Sequence, residues 1–465
     1  MKFLLFGTGD YYERFKKWFN QKDVLALLDN SFQKQNTLID GIRVLSPEEG
    51  IKLEYDAIVI LSFYVKTMKR QLLELGVSSN VIYHFYDLHQ LIYSPEIRKP
   101  IQYYGKAERI VNSIVLQQQS ILLLSQDLAL GGTAIALFHV AEVLKEKGYQ
   151  IVFAAMLDGP LKEKLLVMDI PVIIDPNLQI QTMKDVDWIK KFKLIFCNAI
   201  NFYVFLSERN TDMPFIWWLH DSAFFYDGVN KTVLKNMDRT NLEVYSVGFV
   251  PKTAIQEFVP DLNIRELLYG VSDAVCGNIP MHKRHARICF ATIGYIEQRK
   301  GQDILVKAIN LLPVEIRNKA VFYFVGQNSS VLAQQLQKKI KDIPEIIMTG
   351  TVGRDEIYRI LEDADAMVCP SREDPMPTVA AEAMMHSVPC VVSDATGTAA
   401  YIRDGVDGLV FRSEDEMELA SKLRWCIENY DKLYQMGLNA RKIYENYFSM
   451  KVFENNLLEL IQEKR

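Results

Sequence analysis

The sequence predicts an α/β protein that consists of three successive Rossmann-like domains. Short apolar runs alternate with helix-period segments along the whole chain, and this alternation restarts near residues 118 and 287. Strands that alternate with helices form mainly parallel sheets with helices packed on their faces. A chain of 465 residues is also too long for a single hydrophobic core.

The first predicted domain covers residues 1–97, with strands KFLLF, VLALLD, DAIVIL and VIYHF. After the first strand, Gly7 and Gly9 match the start of a dinucleotide-binding fingerprint, but Tyr12 replaces its third glycine. Asp29 ends the second strand, which is the usual place for a ribose-binding acid. Two alternatives stay open: a nucleotide site at Gly7, Gly9 and Asp29, or a scaffold that docks a protein partner.

The rest of the chain divides into a linker and two doubly wound domains. We expect the linker at 98–117, the second domain at 118–275 and the third at 276–440. The final stretch, 441–465, has a helical pattern and is expected to pack back toward the second domain. Two such domains leave a cleft between the carboxyl ends of their sheets, where ligands bind in open α/β folds.

Composition excludes several classes of function. The net charge of −5 and the pI near 5.9 argue against nucleic acid as the main partner. The chain contains no apolar run long enough to span a membrane, and its N-terminus reaches Gly7 too soon for a signal peptide. We therefore expect a cytoplasmic protein. Lysines in WIKKFK and LKEKGY leave a peripheral contact with the inner face of the membrane open, although solvated helix faces explain them more simply.

Cysteine and histidine spacing predicts no metal site. Six cysteines occur in apolar runs without C-x-x-C spacing, and seven histidines form no H-x-x-x-H pair. The D-x-D pattern at 363–365 lies at the end of a predicted helix, where solvated carboxylates are the expected explanation.

The stretch SREDPMPTVAAEAMMHSVPCVVSD contains the most informative pattern. A helix that begins at Pro377 is apolar on every side except for Glu382, and a buried carboxylate needs a partner. Asp374 stands in the loop before this helix, and the backbone N–H groups of Met376 and Thr378 are candidate donors at the helix start. Either these groups bind a ligand rich in hydroxyls, or Asp374 caps the helix and Glu382 pairs with a nearby Arg or Lys.

Several further residues occupy strand-to-helix edges. Arg299 and Lys300 precede Gly301 and a helix, where two adjacent cations can neutralise a diphosphate or form a solvated basic pair. Gly131 and Gly132 lie between a strand and a helix, which fits either a ligand loop or a plain tight turn.

Taken together, residues 118–465 resemble the retaining GT-B glycosyltransferases of family 4, also called glycosyl transferases group 1. The resemblance rests on the acidic motif above and on IGYIEQRKGQDILVKAI, VFYFVG, MTGTVGRDEIYRIL and DGVDGLVF, which occur in the family's order. It implies a GT-B fold, preceded here by a small Rossmann-like domain. In this family Glu382 would hold the nucleotide ribose and Asp374 would lie near the hydroxyl groups of the donor sugar.

The resemblance also implies roles for the other residues. Arg299 and Lys300 would face the diphosphate, Gly131 and Gly132 would form the glycine loop near the donor phosphate, and His220 in IWWLHDS would lie near the donor sugar's primary hydroxyl. One position departs from the family, because Tyr295 stands where an arginine is common.

The activity that the resemblance implies is metal-independent, retaining transfer of a sugar from a nucleotide diphosphate, with UDP or GDP expected. The acceptor would be a hydroxyl of a glycan, a lipid-linked glycan or a protein, as in the synthesis of surface polysaccharides. No cofactor is expected, because the nucleotide sugar is a substrate. The alternative is a non-catalytic subunit that binds glycan or nucleotide sugar and supports a partner glycosyltransferase.

Overall fold

The computed structural model describes residues 1–113, 120–275 and 286–462. The chain divides into two compact units: Met1–Val244 with Ala254–Asn263, and Tyr245–Thr253 with Ile264–Arg465. Each unit contains helices and mainly parallel β-sheet. The α/β class that the sequence predicts is therefore confirmed.

The N-terminal sheet of the first unit has six strands and is parallel except for one edge hairpin. In spatial order its strands are Leu38–Ile39, Ile42–Leu45, Val24–Leu28, Phe3–Phe6, Ala57–Ile60 and Ile82–His84. The α-helices around it are Asp10–Phe15, Pro47–Gly50, Val65–Glu74 and Leu88–Ile92. The hairpin was not predicted; it turns at Asp40 and Gly41, whose φ angles are 51° and 77°.

The second sheet of this unit has its longest strands at the centre. From one side to the other, the strands of this eight-stranded sheet that begin in the first unit are Leu242–Ser246, Phe215–Leu219, Leu194–Asn198, Ser120–Asp127, Gln150–Leu157, Val172–Ile174 and Gln102–Tyr104. Its α-helices are Ala107–Asn112, Gly132–Glu146, Leu161–Val167, Tyr203–Ser207 and Lys231–Asn236. Strand Gln102–Tyr104 is antiparallel to its neighbour and falls in the segment 98–117 that the sequence suggested as a linker. Part of that segment therefore belongs to the sheet.

Aromatic side chains attach the N-terminal sheet to the second sheet within the first unit. The rings of Phe63 and Phe225 lie 4.2 Å apart, and those of Tyr86 and Tyr203 lie 5.1 Å apart. The Tyr86 hydroxyl also donates a hydrogen bond to the side chain of Asn201. These residues follow the carboxyl ends of their strands, so the N-terminal sheet packs near the carboxyl edge of the second sheet.

The second unit contains a parallel six-stranded sheet. In spatial order its strands are Ile346–Gly350, Ala320–Val325, Ile288–Ile293, Ala366–Cys369, Cys390–Ser393 and Gly408–Phe411. Its α-helices are Gln302–Leu311, Val314–Arg317, Val331–Lys339, Arg354–Asp363, Thr378–Met385, Glu416–Glu428, Tyr430–Ile443 and Met450–Gln462. Strand Ile264–Glu266 also lies in this unit, while helix Phe249–Gln256 passes from the second unit into the first.

The C-terminal helices contact the segment that follows strand Ile264–Glu266. The Tyr444 hydroxyl donates to the Val271 carbonyl oxygen at 2.9 Å, and the Arg441 guanidinium binds the Asp273 carboxylate at 2.5 Å. Val271 and Asp273 fall in the range 118–275 that the sequence suggested for the second domain, yet they cluster with the second unit. These contacts tie the end of the chain to residues about 170 positions earlier.

In the described part of the chain the cysteines are unpaired, and the helices are too short or too polar to cross a membrane. Cys197, Cys289, Cys369, Cys390 and Cys426 are buried and free, while Cys276 lies outside the described residues. Within the same ranges, no helix combines the length and the apolar character needed to cross a membrane.

Candidate functional site

The loop before helix Thr378–Met385 holds Asp374 in a buried ion pair. The N-cap of this helix is Pro377, and no side chain caps it. Lys300 Nζ lies 2.5 Å from Asp374 Oδ2, and Arg299 Nη1 lies 3.9 Å from the same oxygen. The structure therefore excludes the capping role for Asp374 and brings it together with the two cations that the sequence singled out.

A tight turn positions those two cations. Gln298–Lys300 form one turn of 3-10 helix that ends at Gly301, whose φ is 67°. A Cβ at Gly301 would lie 1.9 Å from the Pro370 carbonyl oxygen, so only glycine fits beside the strand end at this point. The backbone of Arg299 also accepts a hydrogen bond from Arg372 N at 2.8 Å.

Arg372 is a bracing residue that sequence reasoning missed. Its guanidinium forms two 2.8 Å hydrogen bonds to the Asp303 carboxylate and one of 2.8 Å to Glu414. This bidentate pair fixes the loop that carries Asp374 to helix Gln302–Leu311. Arg372 lies within the acidic motif, but its partner is 69 residues away in sequence, which no local pattern indicates.

Glu382 is buried, with 1% of its surface exposed. One carboxylate oxygen, Oε1, pairs with the Arg354 guanidinium, while Oε2 is buried and has no hydrogen-bond partner among the described residues. Burial raises the pKa of Glu382, and the positive charge of Arg354 opposes that rise. The pairing with an arginine, one of the two alternatives left open above, is present, but it leaves half of the carboxylate unsatisfied.

Other expected donors at this helix lie in the same unit. Met376 is buried and Thr378 is half-buried at the first turn. Tyr269 was missed by sequence reasoning: its hydroxyl is buried and has no partner in the described chain. Burial raises the pKa of Tyr269, and the charges of Asp374 and Glu382 raise it further. The Oε2 atom of Glu382 and the hydroxyl of Tyr269 are therefore two buried polar atoms without a partner in the described chain, and their residues interact electrostatically.

The glycine loop lies in the first unit, between strand Ser120–Asp127 and helix Gly132–Glu146. Gly131 has a φ of −85°, which any residue can adopt. A Cβ at Gly131 or Gly132 would meet no heavy atom of the described residues within 4 Å. A tight turn therefore does not require these glycines, and the space beside them is open.

His220 follows strand Phe215–Leu219, and its ring centre lies 4.1 Å from that of Trp218. Burial lowers the pKa of His220 to about 3, so its imidazole is neutral at physiological pH. Its Nε2 atom is buried without a hydrogen-bond partner among the residues described. The adjacent Asp221 accepts the backbone N–H of Ile200 at 2.7 Å, and burial raises the pKa of Asp221 to about 6.

Gly7, Gly9 and Asp29 follow the carboxyl ends of two neighbouring parallel strands, Phe3–Phe6 and Val24–Leu28. A Cβ at Gly7 would lie 2.7 Å from the Leu61 carbonyl oxygen, whereas one at Gly9 would meet no described heavy atom within 4 Å. The Asp29 carboxylate accepts hydrogen bonds from the Thr8 hydroxyl and, at 2.8 Å, from the Ser31 backbone N–H. Its oxygens are therefore engaged by the chain itself.

Two other sequence expectations can be compared with the structure. Asp365 of the D-x-D pattern is buried and accepts the Cys289 backbone N–H at 2.6 Å, so the expectation of a solvated carboxylate is wrong for this residue. Its burial follows from its place directly before strand Ala366–Cys369. Tyr295 is largely exposed beside the turn that carries Lys300. Across the ranges that the structure covers, no three His, Cys, Asp or Glu side chains cluster as metal ligands would.

Two family models match parts of the chain. Residues 287–429 match the family described as Glycosyl transferases group 1, and residues 1–83 match the domain described as C2185-like, N-terminal. The match to the first family includes Lys300, Asp374 and Glu382.

Similar proteins agree with this assignment. The chain is 27% identical over 158 residues to sulfoquinovosyl transferase SQD2 of Arabidopsis thaliana, covering 33% of this chain and 29% of that protein. It is 27% identical over 157 residues to D-inositol 3-phosphate glycosyltransferase of Nocardia farcinica, covering 32% of this chain and 35% of that protein. These matches thus span about a third of each relative's length.

A likeness to solved structures extends over more of the chain. HepE from Anabaena, solved in complex with UDP, superposes with a TM-score of 0.61 and 20% identity, covering 74% of this chain and all of that one. At 20% sequence identity, this structural similarity shows that the two proteins share a fold, and it shows nothing about function. The resemblance to GT-B glycosyltransferases of group 1 and the predicted fold class are both confirmed, and residues 1–83 resemble the C2185-like N-terminal domain.

Proposed function

We propose that this protein is a retaining glycosyltransferase that uses a nucleotide diphosphate sugar, with UDP or GDP as the nucleotide. The observation that carries this proposal is the buried carboxylate of Glu382, whose Oε2 atom has no partner in the described chain. An unsatisfied buried carboxylate oxygen is costly, and a ribose hydroxyl supplies the hydrogen bond that it lacks. The match to the glycosyltransferase family over residues 287–429 supports the same assignment.

Lys300 and Arg299 supply the positive charge that the leaving diphosphate needs. Among the described residues Lys300 Nζ pairs with one carboxylate, that of Asp374, so the ammonium can still donate to a phosphate oxygen. As the bond to the sugar breaks, negative charge develops on the diphosphate, and two fixed cations stabilise it without the help of a metal ion. We assign Asp374 to the hydroxyl groups of the donor sugar. Its carboxylate would accept hydrogen bonds from both the sugar and Lys300.

The remaining assigned residues bind and orient the donor. The backbone N–H of Thr378 lies in the first turn of a helix, where donors lack intrahelical partners, and that of Met376 lies just before the N-cap Pro377. Neutral His220 has a buried nitrogen without a partner in the part of the chain that the structure describes, and this nitrogen can hydrogen-bond a sugar hydroxyl. The open space beside Gly131 and Gly132 lets backbone N–H groups approach a phosphate. The attacking hydroxyl would come from a glycan, a lipid-linked glycan or a protein, and the leaving phosphate would take its proton.

Nucleotide binding and donor hydrolysis test this function. The thermal midpoint of the full chain is measured with UDP, GDP and their common sugar conjugates, because a ligand that binds the folded state raises the midpoint. We expect one nucleotide family to stabilise the protein, and Glu382→Ala to abolish that stabilisation. Lys300→Ala should lower the rate of donor hydrolysis by about 100-fold or more, the size seen when one transition-state donor is lost.

Lys307 provides the matched control for Lys300. It lies on the helix that follows the turn, is more than half exposed and pairs with Glu416 on the surface. Lys307→Ala should therefore leave both binding and hydrolysis unchanged. If no nucleotide or nucleotide sugar shifts the midpoint of the wild-type protein, the proposed function is wrong.

A second candidate is a non-catalytic subunit that binds the nucleotide sugar and supports a partner glycosyltransferase. Tyr295 favours it, because it stands where the family commonly has an arginine and therefore leaves fewer cations for the diphosphate. The two candidates differ in one measurement: the subunit binds the nucleotide sugar but releases no free nucleotide on prolonged incubation, with or without glycan acceptors.

A further inference from the structure

Arg354 pairs with Oε1 of Glu382, the carboxylate oxygen that already has a partner. It is the first residue of helix Arg354–Asp363, and its guanidinium reaches Glu382 on helix Thr378–Met385. The side chain is held from both directions, because its Nε donates to the Tyr358 hydroxyl at 3.1 Å and its Cζ lies 5.2 Å from the centre of the Tyr358 ring. Arg354 is thus a partly exposed cation that contacts Tyr358 and pairs with a buried carboxylate.

The other titratable and charged groups around Glu382 cannot take over this role. Tyr269, from the segment after strand Ile264–Glu266, is neutral and buried. His386, the C-cap residue of the helix that carries Glu382, has its pKa lowered to about 4 by burial, and neither ring nitrogen has a partner among the described residues. Arg441 of helix Tyr430–Ile443 is committed to Asp273, Glu445 and the Met385 carbonyl oxygen. Arg354 is the cation that pairs with Glu382 in the described part of the chain.

A carboxyl group with 1% exposure takes up a proton when it has no counter-charge. A protonated Glu382 would present one hydroxyl donor and would lose part of its ability to accept from a ribose diol. The ionised form, in contrast, accepts at both oxygens, and each oxygen has two lone pairs. Oε1 can therefore stay paired with Arg354 while Oε2 accepts from the nucleotide.

We propose that Arg354 is a positioning residue for nucleotide binding: it keeps Glu382 ionised and turns its free Oε2 atom toward the ribose hydroxyls. This inference rests on the proposed function, because it assigns Glu382 to the ribose. It adds that the ribose contact of this protein depends on a residue 28 positions earlier in the chain. The nucleotide class selected in this way carries a free 2′,3′-diol.

Nucleotide affinity as a function of pH tests the role of Arg354. Dissociation constants for UDP and GDP are measured by calorimetry between pH 6.5 and 9 on the full chain, for the wild type, Arg354→Ala and Arg354→Lys. We compare the dissociation constant of each variant with that of the wild type at the same pH. The titration of the nucleotide affects both constants equally and therefore cancels in their ratio. For Arg354→Ala we expect this ratio to be about tenfold at pH 6.5, the loss of one charge-assisted hydrogen bond, and to fall toward one as Glu382 ionises at higher pH. Arg354→Lys should keep most of the affinity at every pH.

Arg359 supplies the matched control. It lies on the same helix, is largely exposed and pairs with exposed Glu356 at 2.9 Å. Arg359→Ala should bind nucleotide like the wild type at every pH. A second comparison uses 2′-deoxy-UDP and 2′-deoxy-GDP: the wild type should prefer the ribonucleotide, and Arg354→Ala should show a smaller preference at pH 6.5. A ratio for Arg354→Ala that is unchanged across the pH range would overturn the inference.

Thermal stability without nucleotide separates this inference from the proposed function. When Arg354 is removed, the folded-state pKa of Glu382 rises further above its unfolded value, so the folded state holds a proton that the unfolded state releases. Stability is then lost as pH rises between these two pKa values. We expect the thermal midpoint of Arg354→Ala to fall more steeply between pH 5 and 8 than that of the wild type, and Glu382→Gln in the Arg354→Ala background to remove the extra slope. If this slope appears but no nucleotide binds the wild type, the function is wrong while the ionic role of Arg354 holds. If the slope does not appear, the inference is wrong even where nucleotide binds.

Discussion

Individual buried charges set the chemistry of both units. In the second unit each acid of the site has a cation: Asp374 contacts Lys300 and Glu382 contacts Arg354. In the first unit, Asp221 is also buried, and its carboxylate accepts the backbone N–H of Ile200. Burial raises the pKa of an acid, and a neighbouring cation opposes that rise.

Asp221 should therefore make the stability of the protein depend on pH. Burial raises the pKa of Asp221 from 3.8 to about 6, so the folded state binds a proton more tightly than the unfolded state does. Stability from this group is present below pH 4 and is lost as pH rises through 6, by up to about 3 kcal/mol at 1.36 kcal/mol per pKa unit. Asp221→Asn keeps an acceptor for Ile200 N but cannot ionise.

The measurement is the thermal midpoint of wild type and Asp221→Asn between pH 5 and 7.5. The difference between the two proteins should shift in favour of the variant as pH rises. Asp212→Asn is a control, because Asp212 is a surface residue of the same unit. A difference that stays constant over this range would contradict the assignment of a raised pKa to Asp221.

At the scale of single elements, glycines separate sites that the fold requires from sites that it leaves open. Gly301 has a positive φ and no room for a Cβ, so it is fixed by the chain around it. Gly131 and Gly132 have ordinary backbone angles or free space, so the fold does not explain them. A substitution at Gly301 should therefore lower the stability of the protein, whereas a substitution at Gly131 or Gly132 should change ligand binding.

Gly301→Ala should destabilise the second unit and displace the turn that carries Lys300. The added Cβ meets the Pro370 carbonyl oxygen at 1.9 Å, and the left-handed backbone adds about 1 kcal/mol of strain. Gly148→Ala is the matched control, because Gly148 has a φ of 78° but no described heavy atom within 4 Å of a Cβ. Thermal unfolding should show a clearly larger loss for Gly301→Ala than for Gly148→Ala; equal losses would mean that strain alone explains both.

Gly132→Ala should have the opposite profile. Alanine favours a helix over glycine by about 1 kcal/mol, and Gly132 is the first residue of helix Gly132–Glu146. The thermal midpoint should stay the same or rise. If the open space beside the loop receives the donor phosphate, affinity for the nucleotide sugar should fall, as measured by calorimetry. Unchanged affinity would remove Gly132 from the proposed donor site.

The elements that sequence reasoning missed share a physical cause. The hairpin at Leu38–Leu45 turns at Asp40–Gly41, an Asp-Gly pair that signals such a turn, but its outer strand has only two residues. Strand Gln102–Tyr104 is a short edge strand without an apolar pattern, and only its pairing with Val172–Ile174 reveals it. Strong central strands such as Ile288–Ile293 were predicted because both of their faces are buried.

The candidate site was predictable only in part for the same reason. The residues of the acidic motif and the basic pair stand out locally, and the structure brings Lys300 to Asp374. Arg354 and Arg372 act through partners 28 and 69 residues away, which depend on how the chain folds. Their roles could not be deduced from spacing, since each begins or precedes a helix in an unremarkable charged segment.

At the scale of the whole molecule, the N-terminal domain is an integral part of the first unit. The N-terminal and second sheets belong to one compact unit, and the rings of Phe63 and Phe225 are 4.2 Å apart across their junction. The sequence left open a docking role for this domain. The structure shows that its aromatic face already contacts the neighbouring sheet of the same chain.

Phe63→Ala should accordingly destabilise the first unit as a whole. Truncating a large aromatic side chain that contacts Phe224, Phe225 and Phe85 removes about 3 kcal/mol of packing when it is fully buried, and less at a half-buried site such as this one. Phe32→Ala is the control, because Phe32 is an exposed aromatic of the same domain. Limited proteolysis should cut Phe63→Ala faster than Phe32→Ala at the junction of the two sheets. Equal rates would mean that the domain is attached only by the chain.

The burial of the cysteines has a practical consequence for chemical labelling. Thiols react as thiolates, and burial raises the pKa of Cys289 and Cys426 to about 12, while the pKa values of Cys197, Cys369 and Cys390 are raised as well. With Cys276 replaced by serine, maleimide should leave the folded protein largely unmodified. A single cysteine introduced at exposed Tyr295 would then accept a fluorophore selectively. Its emission would report donor binding directly beside Lys300, without a radioactive or coupled assay.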